Sequence, residues 1–264
     1  MNPFEDLSLL AAAFVASLFG QGGGILYTPV QVWSGVGVHT AATTSLFLIL
    51  IMSLSSTLVF RREHKVDWTM ALALESPTML GAFCGGIISD YVSARNLALL
   101  LCGLLVAAAW LMIRPPNRRR LDGPSVRPGR WILHRGDADR PYHLDLRWVI
   151  PVMLPVGILT SMIGIGGGIL KVPLMVLLFG VPMSVAVGSS AFMVGLTAVA
   201  GLFGHISMGH LEWQAALLPA VPVFIGAQIG ARLSVRLDTL RMRKWFGVFV
   251  LLVALYTIRH TFSF

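Results

Sequence analysis

The sequence of 264 residues predicts an all-α polytopic membrane protein built from two homologous inverted repeats, each a re-entrant or broken helix hairpin plus three transmembrane helices. Three observations carry this expectation. Hydrophobic residues make up 56% of the chain and charged residues 12%, with a mean hydropathy of +0.77; a soluble domain carries about twice that charge. A glycine cluster occurs twice, in "FGQGGGILYTPV" from Phe19 and in "IGIGGGILKVPL" from Ile163, and four Gly, one Ile, one Leu and one Pro coincide at an offset of 144. Finally, the basic residues collect on one side of the bilayer if the two halves are inverted.

The first apolar segment runs from about Leu7 to Val38, some thirty residues. A straight helix of that length reaches roughly 45 Å, whereas two full crossings need about 40 residues. A hairpin of two half-length helices with the glycines at its tip suits both length and composition, because glycine allows a left-handed turn and removes the bulk that would keep two tips apart. A kinked but complete crossing uses the same residues. The start, "MNPFEDLSLL", holds acids and no basic region, which argues against a cleaved signal peptide. Runs of bilayer length follow at roughly 40 to 60, 68 to 90 and 97 to 113. Residues 1–114 form the first repeat.

Residues 115–146 are a polar, basic loop rich in Pro and Gly, expected to be loosely ordered; nine of the 20 Lys and Arg lie between Arg114 and Arg147. This accounts for much of the net charge of +8 without invoking nucleic acid, as a cytoplasmic loop near anionic lipid. Residues 147–264 form the second repeat: a glycine-bearing segment from Trp148 to Val181, then runs at 184 to 206, 213 to 235 and 244 to 259. Trp68 and Trp213 correspond at an offset of 145, as do "PTMLGAFCGG" from Pro77 and "PVFIGAQIGA" from Pro222. Inversion places Arg61, Arg62, Lys65, the central loop, and Arg232, Arg236, Arg241, Arg243 and Lys244 inside, which is seventeen of the 20 basic residues. Cys84 and Cys102 sit singly in apolar runs and read as small core residues.

Two inverted hairpins bring Gly22–Gly24 and Gly166–Gly168 together near the bilayer midplane. From each tip a half-helix departs with its free N–H groups and positive dipole end toward the centre, an arrangement that receives an anion. Glycine clusters in membrane helices also serve close packing alone, but paired interruptions in matched halves point to a transporter's centre. The candidate substrate-binding residues are Gly20, Gln21, Gly22, Gly23, Gly24, Tyr27 and Ser45 in the first half, and Gly164, Gly166, Gly167, Gly168, Lys171 and Ser189 in the second. Lys171 is a cation inside an apolar segment, functional by default, with snorkelling to an interface as the alternative; its counterpart is Tyr27. Glu75 reads as a salt-bridge partner for Lys171, as a protonatable coupling group, or as a residue near the cytoplasmic end of its helix. Thr43, Thr44 and Ser190 are further hydroxyls that either serve an oxyanion or bond back to their own helices. Gln228 is a second neutral donor beside Gln21. His39, His205, His210 and Glu212 resemble metal-ligand spacing only loosely, so neither a metal nor a cofactor is expected.

Two copies of G-x-G-G-G-x-x-x-x-P, each followed by a small-hydroxyl helix start and later by P-x-x-x-G-A-x-x-G, make the chain resemble the sulfite exporter TauE/SafE family of bacterial membrane permeases. The resemblance covers both hydrophobic halves and omits the central loop. It implies a secondary transporter of small sulfur oxyanions, sulfite or organosulfonates, usually exported, in the bacterial plasma membrane, and it carries Pro29 and Pro173 with the glycines as motif residues. The partners expected are a small anion and the lipid bilayer, with no nucleic acid. A passive anion channel shares every residue above. An intramembrane serine hydrolase would need Ser189 or Ser190 with His205 or His210, and Ser189 and His205 lie about 24 Å apart along a helix.

Overall fold

A computed structural model of the chain describes residues 3–33, 38–88, 132–135, 142–163, 167–206 and 216–262, with helical residues also at 103, 105–110 and 112–113. In chain order the elements are α1 (Pro3–Leu18), α2 (Gly24–Trp33), α3 (Val38–Arg62), α4 (Trp68–Ile88), β1 (Ile132–Arg135), β2 (Tyr142–Asp145), α5 (Leu146–Ile163), α6 (Gly168–Leu177), α7 (Met183–Ile206), α8 (Ala220–Arg236) and α9 (Thr239–Phe262). The chain is therefore mostly helical.

In each half a short helix ends before the glycine cluster and another begins at its last glycine. α1 and α2 are 16 and 10 residues long, and α5 and α6 are 18 and 10; at 1.5 Å per residue none reaches the roughly 30 Å of a hydrocarbon core. The first turn is made by Gly20, Gly22 and Gly23 at φ of 66°, 86° and 71°. Any residue with a Cβ would be strained in that left-handed conformation.

The halves interlock. α1 lies along α8, and α4 lies along α5; α3 and α7 cross at the centre, with α2 on α3 and α6 on α7. The repeated order of small residues noted at Pro77 and Pro222 is explained by these contacts. A Cβ on Gly226 would overlap the Leu10 carbonyl and one on Gly230 the Phe14 carbonyl, while a Cβ on Gly81 would overlap the Leu154 carbonyl. Glycine thus lets α8 and α4 press directly on the backbone of the first helix of the opposite half. α3 and α7 run antiparallel: Ser53 of α3 donates to the Ala191 carbonyl of α7 (2.7 Å), and Lys65, just beyond the end of α3, abuts Gly188 near the start of α7.

Two described helices are long and apolar enough to cross a membrane, Thr43–Arg62 and Met183–Ala200, and both belong to this central crossing. The outer helices expose apolar side chains, among them Leu80 and Phe83 on α4, Phe224 and Ile229 on α8, and Trp245 and Leu252 on α9. Several polar side chains of these helices are buried: Ser53, Glu75, Thr160, Lys171 and Ser190. An apolar exterior is what a bilayer solvent selects, and Glu75 and Lys171 lie inside it, turned from lipid.

Two expectations need correction. Cys84 is exposed on α4, not in the core; in lipid an apolar neighbourhood in sequence does not mark the inside. Cys102 lies outside the described residues. The central loop, expected to be loosely ordered, contains an antiparallel pair in which Leu133 faces Leu144 and Arg135 faces Tyr142. Tyr142 and Leu144 are buried in the main core with Phe60 and Phe246. Asp67 caps α4 by accepting from Met70 N–H (3.0 Å), and the Tyr142 hydroxyl donates to its other carboxylate oxygen. Burial first, and then the bond to Asp67, push the Tyr142 phenol well above its ordinary value, so it remains a donor.

Candidate functional site

The two glycine turns meet. A Cβ placed on Gly168, the first residue of α6, would fall 2.7 Å from the Gln21 carbonyl carbon and 2.8 Å from its Cα. The contact is backbone on backbone, so the segments that open α2 and α6 share one place. Gly20 packs against the Val187 backbone of α7, and Gly22 against the Val194 and Ile49 side chains of α7 and α3. Gly164 and Gly166 lie outside the described residues.

Each turn starts a helix without a side-chain cap. The Gly23 carbonyl accepts from Leu26 and Tyr27 N–H, both at 2.9 Å, and the Gly167 carbonyl from Leu170 (3.3 Å) and Lys171 (3.2 Å). Gly167 is the N-cap of α6, at φ 77°, and provides no side-chain bond. The first-turn N–H groups of such a helix have no partner within it and carry the positive end of the dipole.

Tyr27 and Lys171 occupy matched positions and behave alike in geometry. The Tyr27 hydroxyl lies over Gly23, 2.8 Å from where a Cβ would be; the Lys171 ammonium lies over Gly167, 3.6 Å from the corresponding point. Their partners differ. Lys171 Nζ donates to Glu75 Oε2 at 2.7 Å and to Thr197 Oγ1 at 3.0 Å, and the Thr197 hydroxyl reaches Glu75 Oε1 in turn. Lys171 is 0% and Glu75 1% exposed, so this is a closed, neutral triad drawn from α6, α4 and α7. Of the three readings of Glu75 the structure carries the salt bridge, and Lys171 does not snorkel to a surface.

Around the first turn, polar atoms are left over. Both amide atoms of Gln21 and the Tyr27 hydroxyl are buried with no hydrogen-bond partner, as is the Thr44 hydroxyl. A buried polar group without a partner costs about 1–3 kcal/mol, and such groups call for a physical account.

The other hydroxyls are engaged elsewhere. Ser45 accepts from Gln31 Nε2 (3.3 Å), and Ser189 accepts from the Asp67 N–H (3.0 Å), which ties α7 to the start of α4. Ser190 is the hydroxyl brought to the first turn, donating to the Gly20 carbonyl at 2.8 Å. Gln228 donates to the Ser55 carbonyl (2.9 Å). An open groove of about 400 Å³ is lined by Phe224, Ile225, Gln228, Ile229 and Arg232 of α8 and includes none of the glycine-turn residues. The side chains of His39, His205, His210 and Glu212 lie outside the described residues. Sequence reasoning passed over Thr197 and preferred Ser189 to Ser190; Thr197 does match Ser53 at the 144 offset, and a hydroxyl at the middle of both central helices was an available signal.

A model of the family described as sulfite exporter TauE/SafE matches residues 7–257. The chain is similar to a probable membrane transporter protein, YunE, of Bacillus subtilis, 28% identical over 240 residues and covering 87% of each chain. It is also similar to a probable membrane transporter protein of Haemophilus influenzae, 27% identical with 97% and 98% of the two chains covered, and to MJ0441 of Methanocaldococcus jannaschii, likewise a probable membrane transporter protein, 24% identical with 91% and 92% covered. No solved structure matches the chain. The family match and relatives named as probable membrane transporters, not enzymes, set the serine-hydrolase alternative aside.

Proposed function

The chain belongs to the sulfite exporter TauE/SafE family and is a membrane transporter; from that premise we propose that it moves small sulfur oxyanions, sulfite or organosulfonates, outward across the bacterial plasma membrane, binding them where the two glycine turns meet. The observation that carries this reading is the backbone contact of Gly168 with Gln21. It gathers the uncapped N-terminus of α6, the glycine-led start of α2, and the unpartnered Gln21 amide and Tyr27 hydroxyl. A small oxyanion offers several oxygens to converging N–H and O–H donors, and charge-assisted bonds of that type are roughly twice as strong as neutral ones. The sulfur chemistry comes from the family; the residues supply the sign of the charge and the type of donor.

The antiparallel course of α3 and α7, which correspond in the repeat, supports inverted halves, since parallel halves would run them in one direction. Each half is then one re-entrant hairpin and three crossings around a site fixed at the midplane. Saturable uptake of radiolabelled sulfite into proteoliposomes, with acceleration by unlabelled sulfite on the opposite side, is expected of a carrier; flux that never saturates and shows no such exchange would favour a channel. In a cysteine-free background, single cysteines at positions 62 and 209 should label from opposite faces. Labelling from one face would remove the inverted arrangement, because eight simple crossings put both positions on the same side.

A further inference from the structure

We propose that Glu75, Lys171 and Thr197 form a proton switch that couples anion movement to a proton: a proton taken up by Glu75 releases the Lys171 charge to the anion, and both leave together. The inference rests on the transport reading above and adds the coupling ion. The triad is electrically closed, with Lys171 2.7 Å from Glu75 and the Thr197 hydroxyl joining both. An anion at the glycine turns would then meet a lysine whose charge is already cancelled. The ammonium nevertheless lies over Gly167, the uncapped start of α6. It needs only to lose its carboxylate to serve that position.

Thr197 makes the exchange feasible. Its single hydroxyl hydrogen has two acceptors within reach, Glu75 Oε1 and the Met193 carbonyl at 3.1 Å. A protonated Glu75 becomes a donor; Thr197 can accept from it and turn its own hydrogen to Met193, so no buried group is stranded. In the balance, a carboxylate and a free proton become a carboxylic acid, while the ammonium changes partner from carboxylate to anion, and no other bond is made or broken. The buried charge is zero in both states for a monoanion. A buried charge left uncompensated is strongly unfavourable, so the two ligands are held to enter and leave as a pair. A dianion carried with one proton keeps one negative charge, which an inside-negative potential drives outward.

Among the described residues no second titratable side chain competes for this role at the triad. α4 is packed by α5 and α7, and α6 delivers Lys171. The charged residue of α5 is Arg147, at its exposed start, and α7 has His205, about 12 Å further along its axis than Thr197. The matched triad position in the first half is Tyr27 with Ser53 and no acid, since residue 220 is Ala220. One proton per anion follows from this asymmetry.

A simple alkyl sulfonate is the probe, because its charge is constant over the range where proteins are handled, so any pH effect belongs to the protein. Wild-type affinity should tighten about tenfold from about pH 8 to about pH 6. Glu75→Gln keeps the shape and mimics the protonated state; its affinity should vary less than twofold over the same interval. Sulfonate uptake into wild-type proteoliposomes with a pH dye inside should acidify the lumen in step with uptake. Uptake that moves no proton, or that makes the lumen alkaline, would overturn the proposal even if Glu75→Gln fails to fold, and so would a wild-type pH dependence retained by Glu75→Gln. If neither sulfite nor a sulfonate binds the wild type at any pH, the transport reading falls as well, which separates the two failures.

Discussion

Lys171→Met is expected to destabilise the folded protein by about 3–4 kcal/mol, among the largest losses that one side chain can cause here. The reason lies with the partner rather than the lysine. Glu75 is 1% exposed, and its two oxygens are held by Lys171 and Thr197; removal of the ammonium leaves a buried carboxylate with one hydroxyl for company. The loss has a ceiling of about 4 kcal/mol at neutral pH, because the carboxyl can take up a proton instead of remaining charged. Adding Glu75→Gln should return at least half of the lost stability, since the double variant buries two neutral groups of similar size. Unfolding of purified protein in a fixed detergent measures this. Equal stabilities of wild type and Lys171→Met would mean that the ammonium reaches water, and additive losses in the double variant would mean that the pair does not interact.

Gly168→Leu should reduce sulfite flux by about a hundredfold or more. A Cβ there cannot be accommodated by rotation of a side chain, because what it meets is the Gln21 backbone. The two turns must separate by an ångström or more, and displacement on that scale at a site of converging donors commonly costs about that factor. Gly103→Leu is the control, since a Cβ at Gly103 meets nothing within 4 Å, and its flux should stay within about twofold of wild type because exposed substitutions are usually close to neutral. Full flux in Gly168→Leu would separate transport from the meeting of the turns.

The helix breaks were legible because the residues that make them are chemically distinctive: no other residue tolerates φ of 66° to 86° as glycine does, and the clusters recur at one offset. Lys171 was legible for a similar reason, as a cation in apolar surroundings. Its partner stayed ambiguous, because Glu75 lies 96 residues earlier and the pairing is settled by how α4 and α6 approach α7. Ser189 and Ser190 show the limit of local reasoning. They are neighbours, but their hydroxyls bond to the start of α4 and to the first glycine turn respectively, a division that repeat matching does not foresee. Cys84 was misplaced because in a bilayer apolar sequence is found on the outside as readily as the inside. The strands β1 and β2 were hidden by charge: each has four residues, and Arg135, His143 and Asp145 mask the burial of Tyr142 and Leu144.

The central claim is that the Gln21 Nε2 group and the Tyr27 hydroxyl at the first glycine turn donate to the transported anion, and equilibrium binding of labelled sulfite to purified Gln21→Leu/Tyr27→Phe tests it most directly. Among the described residues these two side chains have no hydrogen-bond partner for their polar atoms, so replacing them with apolar groups of similar shape should leave thermal stability unchanged or raise it. Affinity should move the other way, falling at least tenfold, about 1.4 kcal/mol, relative to wild type. Lower affinity with undiminished stability is the result predicted; wild-type affinity in the double variant would place the anion elsewhere and contradict the account.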